Sequence, residues 1–331
     1  MDNARPYLSL VLTGRNDNYG GDFRSRLQNC ISNAFEQLVA LGMSAEILFV
    51  NYNPTDDNEP IERFINWPKS TNKVVVKILT IPNSVHVMLV ADGQRKDVPV
   101  IEYLGKNAGI RRAQGEFILS MNPDIILTAD VLNELKQLNS SNYYRANRVD
   151  FSGDLNGNYS LTRVFMKGHD YPINQIEEIS SISRKNKWAN TWKRLTPKVK
   201  SVLNLLSIPV YYNNVGNQFH CNVSGDFMLM HRNHWIELQA HNEHTFLSLH
   251  VDALMVVQAA HLGLKEVVLN HPIYHQEHAR RYDATKVNPD FEKAYIFFEE
   301  QATLMTSRQK AEKYNTPDWG LSKFDLPEMK L

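Results

Sequence analysis

Asp124 ends a run of residues whose order suits the handling of a phosphate ester. The run is Gly105 to Asp130, GKNAGIRRAQGEFILSMNPDIILTAD. The pattern predicts a short helix over Asn107 to Ala113, with Lys106, Arg111 and Arg112 as its cations, stopped by Gly115. Glu116 to Met121 is then an apolar run of strand length with a breaker on each side. It closes in Asn122-Pro123-Asp124, and Pro cannot continue a central strand. Asp124 therefore falls at the carboxyl end of a buried strand, where open α/β sheets place their ligands. A carboxylate there, with Lys and Arg on the preceding helix, suits a metal-bound phosphate ester. The structural alternative is an Asp that caps the helix expected from Thr128.

Other residues able to do chemistry lie far from this run. His271-Pro272-Ile273-Tyr274-His275-Gln276-Glu277-His278 holds three histidines. His275 and His278 are spaced for two metal ligands on one helical turn, but the pattern is not the His-Glu-x-x-His of zinc proteases. Asp226 sits in Ser224-Gly225-Asp226, and Asp252 opens a strongly apolar helix that runs to Leu262. A carboxylate in that place is a cap or a general base. The loop from Gly14 to Asp22 is Gly-rich and polar, preceded by Thr13 and carrying Arg15 and Asp17. It is neither Gly-x-Gly-x-x-Gly nor a phosphate-binding loop ending in Gly-Lys-Ser/Thr.

The elements that position these groups alternate. Tyr7 to Thr13 reads as a buried first strand, and Leu27, Ile31, Phe35 and Leu38 mark one apolar helical face. Gly42 stops that helix, and Ala45 to Val50 is the next strand, followed by Asn51 and Asn53. Strand, loop, helix and strand make a βαβ unit and a parallel sheet. Lys73 to Leu79 is β-branched and strand-like. Val85 to Val90 is a further apolar run, and Ala129 to Leu138 continues as a helix. Tyr143 to Asp150 reads as a strand, Phe227 to Met230 as another, and Val267 to Leu269 as the last. From Gly168 to Ser207 the pattern is irregular, with Trp188, Trp192 and many Lys and Arg between 184 and 200. Phe291 to Leu331 reads as a helical tail.

The chain has 331 residues, with 36 Lys+Arg against 36 Asp+Glu, so no global basic field exists to attract nucleic acid. Cys30 and Cys221 are distant and form no metal pattern, which suits a reducing compartment. No stretch reaches the roughly eighteen apolar residues of a membrane span, and the start shows no signal-peptide pattern. The expected location is the cytoplasm, with the 184–200 basic and Trp-bearing segment as the candidate for peripheral membrane contact.

The run Lys-Asn-x-Gly-Ile-x-x-Ala-x-Gly-Glu-Phe-Ile-Leu from Lys106, followed by its acidic turn, resembles the middle of the GT-A glycosyltransferases of the family 2 type. The order of the later elements resembles it too: a Gly before a strand and Arg, a Trp helix, an acidic residue opening a helix, a Gly, a strand and a His-rich end. The resemblance covers Tyr7 to Tyr282 outside an insertion at about 152–216. It implies an α/β GT-A (Rossmann-like) domain over 1–290, with a mixed, mostly parallel sheet flanked by helices, and a helical tail at 291–331. It implies a nucleotide-sugar donor, with Thr13, Arg15, Asp17, Asn51, Lys106, Arg111 and Asn122 at the donor. It further implies a divalent metal (Mn2+ or Mg2+) on Asp124 and His278, with His275 the second choice, and Asp252 as base toward a glycan or glycolipid acceptor. Inversion is the expectation for that family, with a retaining GT-A enzyme and a non-catalytic sugar- or nucleotide-binding protein as alternatives. Two positions depart from the pattern. Asn122 replaces the first Asp of the turn, and Val251 the Glu before Asp252.

Overall fold

The structure is a computed structural model that describes residues 5–91, 98–153, 159–166, 169–172, 218–244, 249–279 and 289–331. Most of the insertion read at 152–216, and all of the 184–200 segment, lie outside the described residues. The chain opens with β1 (Leu8–Gly14), α1 (Phe23–Ala40) and β2 (Ala45–Tyr52). Next come α2 (Ile61–Phe64), β3 (Val74–Ile81), α3 (Asn83–Leu89), α4 (Glu102–Arg112) and β4 (Phe117–Ser120). β1 pairs in parallel with β2 and β4, and β2 in parallel with β3. Every residue of β1, β2 and β4 is buried, which is why these strands read as continuous apolar runs. The apolar run at Val85–Val90 falls on α3, with Val90 as the residue that caps it.

Side chains on β1 alternate between two cores, as the period of two requires. Leu8, Leu10 and Leu12 pack with Leu27, Ile31 and Leu38 of α1 on one face. Val11 packs with Ala108 and Ile110 of α4 on the other. Gly105 and Gly109 let α4 lie close against β1. A Cβ on Gly105 would stand 2.5 Å from Thr13 Cγ2, and one on Gly109 would stand 2.6 Å from Val11 Cγ1. This approach sets Lys106 beneath the ends of the strands.

Beyond β4 the chain feeds two sheets. β5 (Ile125–Ile126), α5 (Ala129–Glu134), β6 (Asn142–Arg145), β7 (Arg148–Gly153), β8 (Tyr159–Met166) and β9 (His169–Pro172) precede the undescribed stretch. After it come β10 (Met228–His231), α6 (Arg232–Leu238), α7 (Val251–His261), β11 (Lys265–Val268), β12 (Ile273–Gln276), α8 (Pro289–Arg308) and β13 (Glu328–Lys330). The main sheet has eight strands in the order β11-β6-β10-β4-β1-β2-β3-β13. It is mixed and mostly parallel, with helices on both faces, as the GT-A resemblance implies. The segment Tyr143–Asp150, read as one strand, is two: β6 stays in the main sheet, while β7 joins a second sheet of order β5-β12-β7-β8-β9. That second sheet has consequences for the site. Register sets His275 of β12 opposite Ile125, the residue after Asp124, and also opposite Asp150 of β7.

The tail begins as expected, with α8 laying Phe298, Ala302 and Met305 against Leu254 and Val257 of α7. It ends as β13, an edge strand antiparallel to β3. The close fit of α4 on β1 predicts that Gly109→Val lowers stability by about 1–3 kcal/mol, the usual cost of overpacking. Urea denaturation of the purified variant measures this, and unchanged stability would show that the helix can move away from the sheet.

Candidate functional site: a carboxylate, two imidazoles and a charge relay

The turn after β4 ends the main sheet strand at Ser120 and starts β5 at Ile125, so Asp124 is held at both ends by paired backbone. It is 5% exposed. Its Oδ2 collects three groups: Arg26 Nη1 of α1 at 3.1 Å, His278 Nε2 at 3.2 Å and His275 Nε2 at 3.9 Å. Its Oδ1 is buried without a hydrogen-bond partner among the described residues. Burial alone would raise the Asp124 pKa, but His275, His278 and Arg26 overcome it and hold the carboxyl down at about 2. His275 stands between two carboxylates, with Nδ1 also 3.2 Å from Asp150 Oδ1. Burial pulls its pKa down, and Asp124 and Asp150 more than reverse this, so it lies above the ordinary imidazole value.

The loop from Gly14 to Asp22 closes over this cluster. Arg26 Nη2 donates to the carbonyls of Tyr19 and Gly21. The Tyr19 ring meets the His278 ring edge-on with centroids 5.5 Å apart. A Cβ on Gly20 would stand 2.5 Å from His278 Nδ1, and Gly20 has a φ of 68°. Only glycine fits there at no steric cost.

A relay of buried charges joins Asp124 to Lys106. Arg148 bridges Asp150 and Asp226, through Nη2 at 3.1 Å to Asp150 and through Nη1 to Asp226 Oδ2. Asp226 Oδ1 accepts from Asn122 Nδ2 at 2.7 Å, and Asn122 Oδ1 accepts from Lys106 Nζ at 2.6 Å. Lys106 is fully buried, donates also to the Gly225 carbonyl at 2.9 Å, and pairs with Glu102 at 2.8 Å. The amide of Asn122 therefore does what no carboxylate can do in its place: it donates to Asp226 while accepting from Lys106. This is the physical setting of the first departure from the acidic turn.

Asp252 lies beyond Gly225. Its Oδ2 accepts from Ser224 Oγ at 2.7 Å and from the Gly225 backbone N–H at 2.6 Å. Burial, and then the charge of Asp252, push the Tyr103 hydroxyl well above its usual pKa. Asp252 thus orders the turn that presents Gly225 to Lys106.

The residues read as donor contacts divide into two groups. Thr13 and Asn51 are buried at the carboxyl ends of β1 and β2, with Thr13 Oγ1 and Asn51 Oδ1 lacking hydrogen-bond partners among the described residues. Thr13 touches Gly105, next to Lys106. Arg15 Nε donates to the Asn53 carbonyl at 2.7 Å and pairs with Asp17 at 3.4 Å. Asp17 Oδ1 accepts from the Tyr19 N–H, which links the first loop to His278. Arg111 does not join them. It lies five residues beyond Lys106, about 7.5 Å along the helix at 1.5 Å per residue. There it donates to the carbonyls of Pro317 and Trp319 and stacks over the Trp319 ring. The sequence reading did not single out Arg26, Arg148 or Asp150 for this site. Arg148 and Asp150 do carry one signal, because their spacing of two puts them on the same face of a strand.

Asp124, His275 and His278 offer three ligand atoms within 4.8 Å of one another, a group that can hold a metal ion. The unpartnered Asp124 Oδ1 and the converging imidazoles fit such an ion. No family model matches the chain, and no curated protein matches it. Among solved structures it is similar to GalNAc-T7, crystallised with UDP, GalNAc and Mn2+, at 10% identity and a TM-score of 0.49. It is also similar to S. aureus TarS 1-349, at 12% identity and a TM-score of 0.43. The alignments take in 97% and 82% of this chain but 55% and 60% of those chains.

Because His275 must lose its proton to bind a metal, Mn2+ affinity should rise as pH increases through and above 6.5, the ordinary imidazole value. Asp124→Asn should remove the binding. Calorimetric titration of Mn2+ at several pH values tests both. Binding that ignores pH, or survives Asp124→Asn, places the ion elsewhere.

Proposed function

We propose that the chain is a glycosyltransferase that moves a sugar from a nucleotide-sugar donor to a hydroxyl of a glycan or glycolipid acceptor. The observation that carries this reading is the junction at the end of β4. There the metal-capable group of Asp124, His275 and His278 is wired through Asn122 to the buried ammonium of Lys106. Both ends of that junction lie where α/β sheets take ligands. We assign the donor to Thr13, Arg15, Asp17, Asn51, Lys106 and Asn122, and the transferase unit to 1–290 with 291–331 as its tail.

Direct displacement needs charge neutralisation on the leaving diphosphate, a base for the acceptor hydroxyl, and held geometry. A divalent ion on Asp124, His275 and His278 would supply the first. One carboxylate and two imidazoles favour a transition ion such as Mn2+ over Mg2+, which prefers oxygen ligands. Lys106 and Asn122 fix each other and the Gly225 turn, so the site is ordered before substrate arrives. Asp252 is the proposed base, its orientation set by Ser224 and Gly225. Transfer through Asp252 inverts the anomeric centre, and NMR of the product anomer separates this from a retaining enzyme.

Asp252→Asn keeps the size of the side chain and its accepting oxygen while removing the basicity. The variant should fold and bind donor, with turnover lower by about 10²-fold or more. A screen of nucleotide sugars by thermal shift, followed by a transfer assay on the hit, measures both. Near-normal turnover would leave Asp252 as the anchor of the Ser224–Gly225 turn only.

A further inference from the structure

The two imidazoles of the cluster are turned the same way. His278 points Nε2 at Asp124 Oδ2, 3.2 Å away, and its Nδ1 lies 3.0 Å from the Ala279 carbonyl. A neutral imidazole keeps one proton, and a carbonyl can only accept. The proton of His278 therefore belongs on Nδ1, which leaves Nε2 free for an ion. The Ala279 carbonyl is itself fixed, because the N–H of the same residue donates to the Gly20 carbonyl at 3.1 Å.

His275 repeats the arrangement with a carboxylate in place of the carbonyl. Its Nε2 stands 3.9 Å from Asp124 Oδ2, too far for a hydrogen bond. Its Nδ1 stands 3.2 Å from Asp150 Oδ1. That contact is short but bent, and neither atom completes a hydrogen bond among the described residues. An ionised carboxylate accepts and cannot donate, so Asp150 draws the ring proton to Nδ1. Asp150 is outside the group of three ligands and meets His275 at the nitrogen turned away from Asp124.

The carboxylate is held in place from the other side. Asp150 is buried, and Arg148 takes both of its oxygens, Oδ1 through Nε at 2.7 Å and Oδ2 through Nη2 at 3.1 Å. Arg148 is fixed in turn by Asp226 and by the Phe165 ring, whose centroid lies 4.2 Å from its Cζ. The pairing of β7 with β8 shifts register between Asp150 and Phe151. Such bulges re-aim side chains next to sites. Partners of this kind set the tautomer and orientation of metal-binding histidines.

We propose that Asp150 is a positioning residue for His275. It keeps the ring proton on Nδ1 and so presents Nε2 to a divalent cation, as the Ala279 carbonyl does for His278. The role rests on the metal-capable group and does not require sugar transfer.

Two measurements on the full chain, with the metal alone, test it. Long-range 1H–15N NMR of the Zn2+-loaded protein reads which ring nitrogen carries the proton, with His275→Ala and His278→Ala assigning the signals. Both rings should be protonated on Nδ1 and metal-bound through Nε2. Calorimetry should show Mn2+ bound about 10- to 100-fold more weakly by Asp150→Ala. In that variant the His275 signals should move and the tautomer of His278 should stay, whereas a general loosening would disturb both. The wild-type NMR result decides the matter if Asp150→Ala does not fold. Zn2+ bound to His275 through Nδ1, or unchanged Mn2+ affinity in folded Asp150→Ala, overturns the proposal. Loss of Mn2+ binding as complete as in Asp124→Asn also overturns it, because Asp150 would then be a ligand itself. A wild type that binds neither ion overturns it together with the metal centre. If these results hold while no nucleotide sugar is turned over, the role of Asp150 stands and the transferase reading fails.

Discussion

The structure turns on a buried negative charge. Asp124 cannot stay ionised away from water unless opposite charge and hydrogen bonds compensate it. Three elements distant in sequence deliver that compensation: Arg26 from α1, His275 from β12 and His278 just beyond it. Truncating one partner of such a group costs about 3–5 kcal/mol, because an uncompensated charge remains. The sign of the pKa shift agrees. Asp124 is held at about 2 against an ordinary 3.8, so the stability it contributes is present above the ordinary value. That stability is lost as pH falls from there through about 2. A buried ion cluster is a weak source of net stability. Its presence at a strand end, with one carboxylate oxygen unpartnered, is better explained by binding than by folding.

What brings the cluster together is strand register rather than local sequence. β4 carries Asp124 to the end of the main sheet. β5 then hands the chain to the second sheet, where β12 lies between β5 and β7. One-residue slippage would turn His275 to the opposite face, separating it from both Asp124 and Asp150. The same logic sets the other end of the site. Two glycines on α4, four residues apart, let the helix approach β1 closely enough for Lys106 to reach Asn122 and Gly225. Asn122, which departs from the acidic turn of the family the chain resembles, then becomes a bridge of opposite hydrogen-bonding senses between a cation and an anion.

The main sheet was legible because burial on both faces gives unbroken apolar runs, as in Leu8–Leu12, Ile47–Val50 and Phe117–Leu119. Asp124 was legible as a strand-end carboxylate because Pro123 marks the end of that strand. The second sheet was not. Its strands are short, and β12 finds its neighbours by long-range pairing, which leaves no periodic trace in Ile273–Gln276. Tyr143–Asp150 looked like one strand because nothing at Ala146 and Asn147 is a strong breaker, yet the chain changes sheets there. Arg111 looked like a donor contact because it shares a helix with Lys106. Its distance along that helix carries it instead to the carbonyls of the tail. Arg26 was hidden among the polar residues that follow the first loop, and only the packing of α1 shows it facing Asp124.

Pulsed electron paramagnetic resonance of the Mn2+-loaded protein tests the central claim most directly, since it reads the nuclei bound to the ion. The account predicts hyperfine couplings from two imidazole nitrogens in the wild type, with one of them lost in His275→Ala and the other in His278→Ala. Bound Mn2+ with no nitrogen coupling would contradict it, because the ion would then sit away from the group at the end of β4.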